Sequence, residues 1–215
     1  MTLWFASANA NKKKELAAIL GNDVLIPSDA GMDFDPEETG SFFCENALLK
    51  ARALHTLLNQ QHPPLFTPGD PIIADDSGIC VDALNGRPGI YSARYAGPEG
   101  LIQRRAAKDK ISSAQRNALL LEELGDNPLR TARFVCAMVL MFSPERFYVI
   151  QETCEGKIVK GKEFAQGTNG FGYDPIMYIP ALGRTMAELS EEEKNTISHR
   201  GKAGILIAKL LTEFA

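Results

Sequence analysis

P-I-I-A-D-D-S-G, residues 71–78, sets three apolar residues directly before two adjacent carboxylates, a hydroxyl and a glycine. The apolar run bracketed by Pro71 and Gly78 predicts a short buried strand with Asp75 and Asp76 at its C-terminal end. In an open α/β sheet, ligands gather beyond that end of the strands. Side chains alternate between the faces of a strand, so one of Asp75 and Asp76 enters a given site while the other braces. Two carboxylates held close repel each other, which favours a proton, a cation or a divalent metal between them. The competing reading is a solvated acidic turn ended by Ser77-Gly78.

Upstream, Thr2 to Ala6 reads as a short strand leading into S-A-N-A-N-K-K-K-E-L-A-A-I-L, residues 7–20. Leu16, Ile19 and Leu20 fall at helical spacing, and Asn9 or Asn11 is placed to cap the helix. Strand, polar loop and helix start together present backbone N–H groups to an anion, and Lys12, Lys13 and Lys14 add positive charge there. Three lysines oppose the helix dipole, a local conflict more common at functional sites. The alternative is a solvated helix face. An acidic loop, D-F-D-P-E-E-T-G at 33–40, precedes a helix over Ser41 to about Gln60, with Ala47, Leu48, Ala51, Leu54 and Leu58 on one face. Lys50, within it, reads as solvated on its own. The Pro-rich stretch His62 to Asp70 reads as a surface loop.

Downstream, Gln103 to Leu124 predicts a helix whose early turns are basic, with Arg104, Arg105, Lys108 and Lys110. Arg133 to Phe142 is a nearly continuous apolar strand, and Phe147 to Lys160 an alternating strand or hairpin pair. G-T-N-G-F-G-Y-D, residues 167–174, is a glycine loop whose aromatics either stack on a flat ligand or plug the core. Ser190 to Glu193 matches a capping box that opens a last helix carrying Lys194, Ser198, His199 and Arg200 in its first turns. Those cations are suited to an anion or to a base that bears a carbonyl.

The 215 residues suffice for one domain with a sizeable core. A net charge of −4 argues against broad nucleic-acid or anionic-membrane binding. Cys44, Cys80, Cys136 and Cys154 form no C-x-x-C pair, which fits a reducing cytoplasm. The apolar N-terminus lacks a basic leader and is too short for a signal peptide, and no run approaches membrane-spanning length.

Taken in order, S-x-N-x-x-K after the first strand, E-E-T-G before E-N-A-x-x-K-A, A-D-D-S-G, P-G-I-Y-S-A-R-Y-A-G, G-F-G-Y-D-P and L-S-x-E-E-K-x-x-x-S-H-R resemble the inosine/xanthosine triphosphate pyrophosphatase family. The resemblance runs from Ala6 to Arg200. It implies a single α/β domain over 1–215, with a long mixed sheet flanked by helices, two lobes with a cleft between them, and a homodimer. It further implies Mg2+-dependent hydrolysis of the noncanonical purine triphosphates ITP, dITP and XTP to the monophosphate and pyrophosphate. By motif, Ser7, Ala8, Asn9, Ala10, Asn11 and Lys12 would form the phosphate loop, with Lys50 a further triphosphate contact. Glu37 and Asp76 would hold the metal, and Asp76 would also accept the proton, with Asp75 and Glu38 as alternatives. Ser77, Phe171, Gly172, Tyr173, Asp174, Lys194, His199 and Arg200 would complete the nucleotide site. Ala8 replaces a frequent glycine, Asn169 stands where a second glycine is common and Asn tolerates left-handed backbone, and the Gln61 to Asp70 loop is long. A receiver-like signalling domain and a nucleotide-binding module without turnover are the competing classes.

Overall fold

A computed structural model describes residues 2–97 and 111–214. Its central strand, β2 (Ile72–Val81), is buried at every position but Ser77. It is longer than the sequence predicts, so Asp75 and Asp76 lie in mid-strand and not at its C-terminal end. Gly78 is the reason. A Cβ there would fall 2.3 Å from the Gly89 carbonyl oxygen and 2.4 Å from Ser92 Oγ. The glycine marks a close approach of backbone inside a strand, not a turn. Ser92 Oγ also accepts the Ile79 N–H at 2.8 Å, tying A-D-D-S-G to P-G-I-Y-S.

The described strands form one sheet in the order β1-β2-β3-β4-β5-β6, with β1 Trp4–Phe5, β3 Thr131–Ser143, β4 Arg146–Ile158, β5 Met177–Ile179 and β6 Arg184–Thr185. β1 pairs parallel with β2, Trp4 beside Ile72, whereas β5 pairs antiparallel with both β4 and β6, so the sheet is mixed. The apolar run of β3 is buried nearly throughout. β4 is one strand of alternating exposure, not a hairpin pair.

The helices are α1 (Ala10–Leu20), α2 (Phe43–Gln61), α3 (Ser113–Leu124), α4 (Glu191–Ile197) and α5 (His199–Phe214). Ser112 caps α3, its Oγ accepting the Gln115 N–H while Gln115 returns a side-chain bond to the Ser112 N–H. The basic turns expected before it, from Gln103 to Lys110, lie outside the described residues. The single last helix predicted from Ser190 is two. Ser198 takes extended backbone (φ −67°, ψ 154°) and its N–H closes α4 on the Lys194 carbonyl at 2.8 Å. The 61–70 loop ends in a buried aspartate, Asp70, which accepts the N–H groups of Thr2 and Thr67, each at 2.9 Å. That clasp fixes the loop to the start of β1.

Two compact units emerge: residues 1–76, 136–152 and 199–215, and residues 77–135 and 153–198. Each has its own core. Phe5, Leu16, Ile73, Met138, Leu140 and Ile207 belong to the first, and Ile79, Tyr95, Leu120, Ile176 and Met186 to the second. Burying each such large side chain contributes about 1.5–3 kcal/mol, so both units hold their polar clusters on rigid apolar frames.

Candidate active site

In the first unit, Asn9 caps α1. Its Oδ1 accepts the N–H groups of Asn11 at 3.0 Å and Lys12 at 3.3 Å, two donors the sequence offered to an anion. Ser7 Oγ accepts the Asn9 N–H at 3.1 Å. Ala8, Asn9, Ala10 and Asn11 are exposed, which leaves the loop's outer surface accessible. The lysines part company: Lys12 Nζ lies 2.8 Å from Asp75 and Lys13 Nζ 2.6 Å from Asp29.

Asp75 and Asp76 project into different company, as strand alternation requires. Asp75 is buried and receives Lys12 together with Arg200 Nε at 3.2 Å and Nη2 at 2.9 Å. Burial opposes its charge, but Lys12, Arg200 and Lys50 outweigh burial and hold the carboxyl well below the usual carboxylate range. Arg200 is fastened on its other edge by Glu15 at 2.6 Å. The sequence assigned Arg200 to the nucleotide. In this structure its guanidinium braces Asp75 and binds Glu15. Cys136 Sγ, 3.9 Å from Asp75, has its thiol pushed up to about 12 by burial and by that carboxylate.

Asp76 meets the Asn46 amide at 3.1 Å and Lys50 Nζ at 3.5 Å. Lys50 is itself buried, contrary to its solvated appearance in sequence, and lies closer to Glu38, at 2.7 Å. Burial and the nearby Glu38 carboxylate raise the Asp76 pKa despite Lys50. Two carboxylates thus converge on one ammonium. Glu38 is the member of the E-E-T-G loop that turns inward; Glu37 is exposed. Asn46 also accepts the Gly40 N–H at 2.8 Å, holding that loop to α2.

This donor set fits Mg2+, which takes one or two carboxylates and completes its octahedron with waters and substrate phosphates. Among the described residues no three His, Cys, Asp or Glu side chains converge as a cage. Asp76 and Glu38 are the oxygen ligands the geometry offers, with Glu37 adjacent in sequence.

The second unit contains the glycine loop. Gly170 (φ +74°) and Gly172 (φ +67°) adopt left-handed backbone, and a Cβ on Gly170 would fall 2.0 Å from Asp174 Oδ2. That oxygen accepts the Phe171 N–H at 2.8 Å and pairs with buried Lys194 at 2.8 Å. Lys194 Nζ also sits 5.1 Å from the centre of the Phe171 ring. Tyr173 is an anchor: it is buried, its hydroxyl donates to the Ser92 carbonyl at 2.8 Å, and burial raises its pKa. Asn169 is not left-handed, because its N–H binds the Ala187 carbonyl and its amide the Leu189 carbonyl. Lys194 lies within α4 of the second unit, while His199 and Arg200 open α5 in the first. His199 is buried.

Sequence reasoning passed over Asn46, Glu15 and Asn117. Two of them carried a signal: Asn46 stands in the E-N-A-x-x-K-A motif beside Ala47 on the buried face of α2, and Asn117 is a polar residue in register with Leu120, Leu121 and Leu124 on that of α3.

Residues 3–210 match the model of the Ham1 family. The chain belongs to that family. Among its relatives is a Treponema denticola protein named dITP/XTP pyrophosphatase, 44% identical over 98% of both chains. A Geobacillus kaustophilus protein of the same name is 45% identical over 92% of this chain and 88% of its own. The solved structure of the Staphylococcus aureus Ham1 protein superposes with a TM-score of 0.78 at 39% identity, covering 100% of both chains. That of a Coxiella burnetii HAM1 protein gives the same TM-score at 36% identity, covering 99% of this chain and 100% of its own.

Proposed function

We propose that this protein hydrolyses noncanonical purine nucleoside triphosphates, the ITP, dITP and XTP class, to the monophosphate and pyrophosphate. The carrying observation is the near full-length similarity to relatives named dITP/XTP pyrophosphatases. The receiver-like and non-hydrolysing alternatives draw no support from those names.

In this reading the first unit handles the triphosphate. Lys12, Lys50 and the Ser7 to Asn11 loop, exposed from Ala8 to Asn11, bind its anionic oxygens, with Ser77 following Asp76 in the strand. Asp76 accepts the proton of the water that attacks the α-phosphorus as the bond to pyrophosphate breaks. Its raised pKa makes the ionised carboxylate a stronger proton acceptor, and Lys50 and Asn46 orient it. Asp75, saturated by Lys12 and Arg200, holds β2 and positions Lys12. Mg2+ would be held by Asp76 and Glu38, with Glu37 as the neighbouring carboxylate, and would neutralise charge and polarise the phosphoryl oxygens.

The second unit reads the base. Hypoxanthine and xanthine carry a 6-oxo acceptor where adenine carries a 6-amino donor. Backbone N–H groups of the 170–174 loop oppose adenine, Phe171 stacks on the ring, and Asp174 and Lys194 fix the loop. His199, in the first unit, is a further contact for the nucleotide. Sites built on buried hydrogen bonds discriminate by about 10⁴ or more. The reading includes a homodimer acting in the cytoplasm, which suits the four free cysteines. Among the described residues no helix is long and apolar enough to cross a membrane.

The test is pyrophosphate release from ITP, XTP, dITP, GTP and ATP, with and without Mg2+. Metal-dependent release strongly favouring the 6-oxo, non-guanine bases is expected. Equal efficiency on ATP would overturn it.

A further inference from the structure

Asn117 sits on the buried face of α3 and is 9% exposed, in register with Leu120, Leu121 and Leu124. Its Nδ2 donates to the Gly172 carbonyl at 3.1 Å. Only the amide nitrogen can donate to a carbonyl, so this bond fixes which way the side chain faces. Its Oδ1 is then buried with no hydrogen-bond partner among the described residues. Leaving such an acceptor unsatisfied costs about 1–3 kcal/mol. An apolar side chain would complete that face without that cost. Packing alone therefore does not account for asparagine here.

The bond's effect is on a peptide plane. Gly172 is left-handed, in a loop already held at Phe171 and Asp174 by the Asp174 carboxylate and Lys194. Neither contact is made to the peptide between Gly172 and Tyr173. Asn117 fixes it by its oxygen. In a trans peptide the C=O and the following N–H point in opposite directions. Drawing the Gly172 oxygen toward α3 turns the Tyr173 N–H away from α3. Among the described residues no acceptor receives that N–H. The Tyr173 ring, anchored on Ser92, keeps the chain from following the rotation.

We propose that Asn117 is a positioning residue for base selection: through the Gly172 carbonyl it orients the Tyr173 N–H as a donor to the 6-oxo group of the purine. This rests on the reading of the 170–174 loop as the base site. Asn117 does not itself touch the substrate.

The experiment compares kcat/KM for ITP, XTP and ATP in the wild type, in Asn117→Asp, in Asn117→Leu and in Asn117→Gln. Aspartate keeps the shape but presents only oxygen to the Gly172 carbonyl; glutamine restores an amide donor. The readout is the ITP-to-ATP ratio, which cancels the active fraction and so survives a partly folded variant. The ratio is expected to fall roughly tenfold or more in Asn117→Asp and Asn117→Leu, the size of one buried hydrogen bond, and to recover at least in part in Asn117→Gln. Equal losses on ITP and ATP, with the ratio unchanged, would make Asn117 a structural residue and overturn the proposal alone. A wild type with no preference for ITP over ATP would overturn the base-site reading and this proposal together.

Discussion

The polar cluster of the first unit is made of side chains, whereas that of the second is made largely of backbone. Around Asp75 and Asp76, four cationic or amide side chains, Lys12, Lys50, Arg200 and Asn46, meet carboxylates at 2.8–3.5 Å. Around Gly170 to Asp174 the shape comes from left-handed glycines, with one carboxylate, one ammonium and one amide pinning the loop. Charged side chains suit a substrate part that carries charge and must be neutralised. Rigid backbone suits a flat ring that must be distinguished from a near isostere. Substitutions in the first cluster should therefore change rate and stability, and those in the second should change the choice among bases.

The largest expected loss of stability comes from the buried acid Asp75. Its depressed pKa means that its ionised form stabilises the fold above its unfolded pKa near 4, and that this contribution disappears as pH falls through the folded value. Asp75→Asn removes the buried carboxylate that Lys12 and Arg200 share and should cost about 3–5 kcal/mol at pH 7, read from urea midpoints. The loss should shrink in acid, and a cost below about 1 kcal/mol would mean that the pair behaves like a surface one. For the second cluster, Gly170→Ala imposes a strained φ and a collision with Asp174, an effect of about 1–3 kcal/mol. Its ITP-to-ATP ratio should fall further than its ITP turnover number; the reverse order would break the contrast between the clusters. The smallest effect separates two neighbouring acids. Glu38→Gln should raise the Mg2+ concentration for half-maximal rate about tenfold, while Glu37→Gln should leave it nearly unchanged. A larger effect at Glu37 would return the metal to the residue chosen from sequence.

Much of this was legible in the chain. The mixed sheet followed from three apolar runs, the Asn9 cap from a strand-loop-helix pattern, and the opposed faces of Asp75 and Asp76 from strand alternation. What sequence missed has a common cause: partners distant along the chain. Nothing local to Gly78 announces the Ser92 hydroxyl that keeps β2 running, so an extended glycine reads as a turn. Ser198 has no helix-breaking chemistry of its own, so α4 and α5 read as one. Lys50 resembles any solvated lysine until Glu38 and Asp76 are placed beside it. Arg200, in an S-H-R motif, looks available until Asp75 and Glu15 are found on its two edges.

The most direct test of the account is Asp76→Asn, assayed for ITP turnover at saturating Mg2+ and for stability at pH 7 in the same preparation. Burial raises the Asp76 pKa, so the group favours the fold in acid, where it is protonated, and that contribution is lost as pH rises through the folded value. Replacing it should leave the fold as stable as the wild type or more so, while turnover falls by about 10²–10⁴, the range for a lost general base. Turnover within a few-fold of wild type would contradict the assignment of Asp76 as the reacting acid.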